Sequence, residues 1–536
     1  MSSSIRRATV LLNKNLWLVF IFFSLLVTLL RWSTFYQSVI NWDESLYILV
    51  AKAWSEGNIP YTKIWDNKPP GIYAIFLIAM SVLGHSVLST RIVACLFVAT
   101  TCFFLYRIGS LIERNGKGIG LLSGSLYAIA TLSNGGMASN TEIFYTPFVV
   151  TAFYLFFKNN FQVGELVSKQ FLKLFLIGVL LGIGFEIKYV VLFDFLALSL
   201  ILVFAFIGQS RSNTKYLSIL QAISFLTLGF VLPFIIVSLY FLLNRHFDDY
   251  IYANFTANKL RTVDIEFSFV TPIKAIYVQI RDNKFLWFSM LCVTIYLCIA
   301  KNIPTRERWI LSSFIVWFFI NLLLICTVLR GSFYPHYFLQ LSPSLCLVTA
   351  YVVISLGLVF SGTRSEQSKP RQYLILGMLL ILLISSTLVF QTLFSNAKYV
   401  YFTHVKGIRS WNDTPALIGE YLKPRVKSDD YIYIVSGVPI VYFLTDAKIP
   451  TRYAFPPFLL IQKDLPNITG VVPLEELDLI LKKQPAYIVN RKIYTDTQFV
   501  NENKVFLDKL NQTIDKSYKI DTSIGGYDLY RLNSKS

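Results

Sequence analysis

Charge is what this chain has least of. Lys, Arg, Asp and Glu make up 15% of its 536 residues, against roughly 25% in soluble domains. Hydrophobic residues make up 54%, and the mean hydropathy is +0.55. That balance, with repeated long apolar runs, excludes an ordinary soluble protein and implies an integral membrane protein. Cysteine is also scarce. Cys95, Cys102, Cys292, Cys298, Cys326 and Cys346 all fall within apolar runs. No spacing among them matches a zinc site, and none supports the C-terminal region with a disulfide framework. Internal repeats and low-complexity segments are lacking as well. A small-residue cleavage site is missing after Arg6, Arg7 and Lys14, so the first apolar run reads as a retained span rather than a removed signal peptide.

What is plentiful is apolar sequence, and its basic punctuation sets a topology. Runs lie at about 16–32, 91–112, 118–135, 141–157, 172–187, 190–207, 217–243, 286–300, 309–329, 338–360 and 373–394, each near the roughly 17–25 residues that cross a bilayer, though 286–300 is short. Eleven crossings put the two termini on opposite sides. With a cytoplasmic N-terminus, the cytoplasmic connections hold Arg114 and Lys117; Lys158, Lys169 and Lys173; Arg211 and Lys215; Lys301, Arg306 and Arg308; and Arg364, Lys369 and Arg371. This agrees with the positive-inside rule. The net charge of +18 therefore belongs to topology and anionic headgroups, not to nucleic acid. The apolar segment 71–84 would be about 21 Å long as a helix, short of a roughly 30 Å core. It reads as a juxtamembrane or re-entrant helix in a first outer loop at about 33–90. Residues 43–56 read as a second interfacial helix, with Leu46, Tyr47, Val50 and Trp54 on one stripe.

After about residue 395 charged residues and prolines rise and the runs shorten. Strands are expected at 431–435, 486–490, 518–521 and 528–532, and helices at 472–483 and 498–510. The expected organisation is a polytopic α-helical membrane domain at 1–394 and a small extracytoplasmic α/β domain at 395–536. The expected location is the inner or plasma membrane, crossed many times. The sequons at Asn254, Asn412, Asn467 and Asn511 all fall on the outer side of this topology.

The candidate chemistry gathers on that side. Asp43 and Glu44 offer a general base or metal ligand, or else an acidic start to a helix. Lys68, before Pro69 and Pro70, projects from a stiff turn and suits a phosphate, or snorkels beside headgroups. Glu142 follows Asn140 and Thr141 at the start of a span, as a second acidic group or a first-turn acid behind an N-cap. Arg330, His336 and Tyr337 lie between two spans, able to bind phosphate oxygens or to belong to an interfacial girdle. Lys188 and Glu186 share a tight turn and are expected to pair. Arg91 is expected to contact lipid. The topology puts Asp43, Glu44, Lys68, Glu142, Arg330 and His336 on one face.

At these residues the chain resembles the GT-C glycosyltransferases, in the branch with the protein O-mannosyltransferases and the lipid A aminoarabinose transferases. The matching segments are NWDESLYILVAKAW, WDNKPPGIYAIF, ASNTEIFYTPF and YPHYFLQLSPSLCLV, and the C-terminal YIYIVSGVPIVYFLTDAKIPTRYAF matches more loosely. The resemblance implies the GT-C fold, a polyprenyl-phosphate-linked sugar as donor, and transfer to an acceptor glycan, lipid or protein outside the cytoplasm. It implies Asp43 as the catalytic carboxylate, Lys68 as the lysine on the lipid phosphate, and Glu142 as the second acidic position. Arg330 and His336 fall where relatives place residues near the phosphate. Direct attack by the acceptor inverts the anomeric centre, whereas retention needs two carboxyls about 5 Å apart. Adjacent side chains on one helix diverge, which favours inversion. Asp43, Glu44 and Glu142 are also the candidate ligands for a divalent metal ion. The competing class is a transporter or flippase of lipid-linked sugar, which would place ionisable residues near mid-membrane in broken, repeated helices.

Overall fold

The computed structural model describes residues 15–113, 115–159, 161, 168–207, 215–263, 270–300, 303–327, 333–362, 390–408, 413–437, 439–460, 468–494 and 496–533. It divides into two compact units. The first takes in Met1–Ser33, Arg91–Val237 and Phe267–Lys398; the second takes in Thr34–Thr90, Ser238–Glu266 and Tyr399–Ser536.

The first unit is helical. Its long elements include Leu16–Arg31, Gly116–Ala130, Thr141–Asn159, Ser168–Phe185, Val191–Ile207, Thr305–Thr327 and Ser342–Gly362. Helices of a membrane protein associate through close packing, so small residues sit where backbones meet. Here a Cβ at Gly178 would lie 2.1 Å from the Leu226 carbonyl oxygen, and one at Gly229 would lie 2.0 Å from that of Phe175. These two glycines let Ser168–Phe185 and Lys215–Leu243 touch backbone to backbone. Polar groups inside the unit are bonded to one another. The Asp194 carboxylate receives hydrogen bonds from the Trp317 indole at 2.7 Å, Asn321 at 2.9 Å and Gln340 at 3.0 Å.

Five helices among the described residues are long and apolar enough to cross a membrane: Leu16–Tyr36, Val87–Gly109, Tyr216–Leu243, Thr305–Thr327 and Pro335–Leu356. A sixth is added if Val270–Asp282 and Lys284–Ile299, bent by 102°, count as one span. The protein is thus a multi-pass membrane protein, but this count is below the eleven crossings expected. Several of the expected runs fold into helices that are shorter or more polar, such as Val191–Ile207 and Ser168–Phe185. Most of the run at 373–394 lies outside the described residues.

The second unit joins the first-loop helices Trp42–Ser55 and Gly71–Leu83, the segment 247–263 and the C-terminal region. Gly71–Leu83 has 13 residues, about 20 Å of helix, too short for a perpendicular span. The C-terminal region carries a four-stranded sheet in the order β1-β2-β4-β3, with β1 Ile432–Ile434, β2 Tyr487–Arg491, β3 Tyr518–Ile524 and β4 Tyr527–Leu532. β1 and β2 run parallel with Ile432 opposite Tyr487, joined by a crossover that contains Pro473–Lys482. β4 is antiparallel to β2 and β3, and Gly525 and Gly526, at φ +56 and +83, turn the β3–β4 hairpin. All four strands lie where they are expected. The helix expected at 498–510 is two helices, Thr497–Glu502 and Lys504–Ser517, parted at Asn503, whose side chain bonds back to the Phe499 carbonyl at 2.8 Å.

Candidate active site

In the second unit the local sequence explains how Asp43 is presented. Asn41 caps Trp42–Ser55, its side-chain oxygen accepting from the Asp43 N–H at 3.0 Å. Glu44 closes the capping box by accepting from the N–H groups of Ile40 at 2.5 Å and Asn41 at 2.8 Å. Its carboxylate is buried and committed to the helix start. Asp43, one residue earlier, is left partly open. Its Oδ2 lies 3.9 Å from Lys68 Nζ, with the two side chains 28% and 20% exposed. That separation is longer than a hydrogen bond, so the two charges face one another across a small gap.

Lys68 itself stands on a built turn. Its carbonyl receives the hydroxyls of Tyr61 at 2.8 Å and Tyr73 at 3.2 Å. Tyr61 is buried and holds φ +74, a conformation a tyrosine adopts only under constraint. Lys68 Nζ donates to Asn67 Oδ1 at 3.3 Å. Asn67 is tied by two 3.1 Å bonds to Asn258: its side chain donates to Asn258 Oδ1, and Asn258 donates to its carbonyl. Pro70 caps Gly71–Leu83 without a side-chain bond, so the positive end of that helix dipole begins three residues after Lys68, an arrangement that favours an anion.

One residue that sequence reasoning missed lies beneath this turn. Asp66 is 1% exposed. It accepts from the Asn67 N–H at 2.7 Å and the Tyr73 hydroxyl at 2.9 Å. Burial raises its carboxyl to about 6, and the negative charge of Asp43 adds to the rise; Lys68, Asn67 and Tyr73 pull the other way. The signal in the sequence is a carboxylate two residues before the lysine in an otherwise apolar and proline-stiffened stretch.

In the first unit Glu142 opens Thr141–Asn159, fully buried, and pairs with Lys188. The expected Lys188–Glu186 pair is therefore not made. Lys188 turns inward, with its ammonium over the Tyr337 ring at 4.7 Å from the centroid. The Glu186 carboxylate is buried with no hydrogen-bond partner among the described residues. His336 stacks on Tyr334 at 5.6 Å and lies close enough to Glu142 for its charge to act there. Arg330 lies outside the described residues. Arg91 is buried rather than turned to lipid, donating to Ser139 at 3.1 Å. Buried Arg31 donates to the carbonyls of Gly136 at 2.6 Å, Thr131 at 3.3 Å and Met137 at 3.4 Å. Both arginines thereby fix the connection that leads into Asn140 and Glu142.

Asp43, Glu44 and Lys68 thus belong to one unit, and Glu142, His336 and Tyr337 to the other. Among the described residues no three His, Cys, Asp or Glu side chains form a group that could hold a metal ion. Of the three candidate ligands, Glu44 is occupied by the capping box and Glu142 by Lys188.

Residues 67–241 match the family described as Dolichyl-phosphate-mannose-protein mannosyltransferase. Among curated proteins none matches the chain by sequence. Of solved structures, ArnT from Cupriavidus metallidurans in the apo state is 13% identical, with a TM-score of 0.57 over 96% of this chain and 97% of its own. The Archaeoglobus fulgidus oligosaccharyltransferase, tethered to an acceptor peptide containing the NVT sequon, is 12% identical, with a TM-score of 0.50 over 97% of this chain and 74% of its own. At these identities the likeness is one of fold. The family match begins at the Asn67–Lys68 turn and runs through Glu142 and Lys188. Over residues 67–241 the chain is thus similar to that mannosyltransferase family, and over nearly its whole length its fold is like that of ArnT.

Proposed function

We propose that the protein transfers a sugar from a polyprenyl-phosphate-linked donor to an acceptor hydroxyl on the extracytoplasmic face. The observation that carries this reading is the Asp43–Lys68 arrangement: a partly open carboxylate 3.9 Å from an ammonium on a rigid turn. In the reaction the acceptor oxygen bonds to the anomeric carbon as the bond from that carbon to the phosphate oxygen breaks. Asp43 takes the proton from the acceptor hydroxyl, which raises the nucleophilicity of the oxygen. The departing phosphate gains negative charge, which the Lys68 ammonium and the opening N–H groups of Gly71–Leu83 stabilise. Attack and departure on opposite faces of the sugar invert the anomeric centre. Glu44, held in the capping box, keeps the helix start and hence Asp43 in place.

In this reading the N-terminus is cytoplasmic, and the 33–90 loop and C-terminal region are extracytoplasmic. The Glu142–Lys188 pair holds the start of Thr141–Asn159 and the Tyr337 ring within its own unit. The matching family, of dolichyl-phosphate-mannose-protein mannosyltransferases, supports a dolichyl-phosphate sugar donor, and the oligosaccharyltransferase neighbour was solved with a peptide acceptor.

The test is donor dependence in the purified protein. Lys68→Ala removes the cation and keeps the turn's tyrosine bonds, which go to a backbone carbonyl. The apparent KM for a polyprenyl-phosphoryl sugar is expected to rise by at least tenfold, the order of a charge-assisted hydrogen bond. An unchanged KM with unchanged turnover would remove Lys68 from the donor site.

A further inference from the structure

We propose that Asp66 is a positioning residue for Lys68, and that capture of an anionic phosphate by Lys68 is coupled to uptake of a proton by Asp66. The inference rests on the reading of Lys68 as a phosphate ligand and deepens it.

The geometry has two parts. Asp66 shapes the turn, because its two oxygens take the Asn67 N–H and the Tyr73 hydroxyl. Tyr73 also reaches the Lys68 carbonyl at 3.2 Å, and Tyr61 reaches it at 2.8 Å. Asp66, Tyr73 and the Lys68 backbone are thus one bonded cluster, closed on its other side by Asn67 and Asn258. The second part is charge. A carboxylate at 1% exposure is costly to keep ionised unless a cation answers it. Among the described residues Asp66 makes no ion pair. The groups that act on it are Lys68 within the same turn, Asp43 from Trp42–Ser55 and Tyr73 from Gly71–Leu83. The Ala257–Val263 helix contributes Asn258, a neutral group, while its Lys259 is exposed.

An anion arriving at Lys68 becomes a second negative neighbour beside Asp43. It also draws the ammonium that favours ionised Asp66. Both effects disfavour the Asp66 carboxylate, so its proton affinity rises on binding. Asp66 already titrates at about 6 without ligand, so the uptake falls between roughly pH 5 and 8, where it is measurable. The proton comes from solvent, and no covalent bond of the ligand changes. By linkage the phosphate binds more tightly when Asp66 is protonated and more weakly as pH rises through its two titration points. Each unit by which the ligand shifts that titration changes affinity about tenfold across the window.

The probe is farnesyl methyl phosphate, a phosphodiester that carries one negative charge throughout this range. Binding to the full-length protein in nanodiscs is followed calorimetrically from pH 5 to pH 8, in buffers of different ionisation enthalpy. The expected wild-type result is an affinity loss of about threefold to tenfold over the window, with fractional proton uptake shown by the buffer dependence of the heat. Asp66→Asn should bind with no slope and no proton uptake. Tyr73→Phe keeps the carboxylate and removes one bond to its charged form, so its slope should move to higher pH; this arm decides the matter if the asparagine variant does not fold. A flat wild-type profile without proton uptake, or the same slope in Asp66→Asn, would overturn the coupling. Lys68→Ala separates the two levels. Lost binding in that variant with a flat wild-type profile defeats the coupling alone, whereas undiminished binding defeats the reading of Lys68.

Discussion

At the scale of single residues, the buried charges of this protein divide by how they are answered. Asp194 is answered by three neutral donors, and Glu142 by the Lys188 ammonium, with the Thr141 hydroxyl donating to its other oxygen at 3.2 Å. The second arrangement is fragile, because removing the lysine leaves a buried carboxylate with its desolvation uncompensated. Lys188→Met is therefore expected to cost about 3–5 kcal/mol of stability, and Lys188→Met combined with Glu142→Gln less than either change alone. Thermal unfolding of the three variants in detergent gives the comparison; losses that simply add would show that the pair is not coupled. Neither Lys188–Glu142 nor Asp66 was legible as a partner from sequence. Lys188 has Glu186 two positions away, and only the packing of Thr141–Asn159 against the turn at 186–190 turns it toward a carboxylate 46 positions earlier in the chain. Glu44 was legible in part, since an acidic residue in a first turn is a helix-start signal, and the capping box realises it.

At the scale of elements, helix ends do much of the positioning. Asn41 sets where Trp42–Ser55 begins and so where Asp43 emerges, and Pro69 and Pro70 set where Gly71–Leu83 begins and so where Lys68 stands. Val270–Asp282 has a different task. It meets Lys284–Ile299 at 102°, so if the latter crosses the bilayer the former lies along its surface. Val270, Ile273, Tyr277 and Ile280 follow helical spacing on its exposed face, Tyr277 with 64% of its area open. The opposite face is held by Gln279, which exchanges bonds of 2.9 and 3.2 Å with Asn134. An apolar stripe of that kind suits the headgroup boundary. Fluorescence of Tyr277→Trp in liposomes should be quenched by lipids brominated near the carbonyl end of the chain, and little by aqueous iodide. The reverse pattern would place the stripe in water or against protein. In the sequence this segment lies between the apolar runs at 217–243 and 286–300, because Thr271, Lys274, Gln279 and Arg281 interrupt its hydropathy and only the amphipathic period identifies the helix.

At the scale of the whole molecule, alternation and turn chemistry made the C-terminal strands readable, and the short apolar run at 71–84 was readable by length. The number of spans was not, because an apolar run in a membrane protein can end in a short helix or a bend, and run length alone does not distinguish these. The organisation also crosses the linear boundary expected near residue 395: the unit with the sheet includes 34–90 and 238–266, contacts that follow from tertiary packing and leave no compositional mark. What the whole chain shares with its structural neighbours is fold, and the chemistry rests on a few residues within it. The most direct measurement of that chemistry is acceptor-dependent cleavage of a polyprenyl-phosphoryl sugar by the reconstituted protein and by Asp43→Asn, with released polyprenyl phosphate and glycosylated acceptor both counted by mass spectrometry. The account predicts equal amounts of the two products from wild type and a loss of turnover of about 100-fold or more in Asp43→Asn, with the variant still folded and still binding donor. Turnover retained in Asp43→Asn would contradict Asp43 as the base.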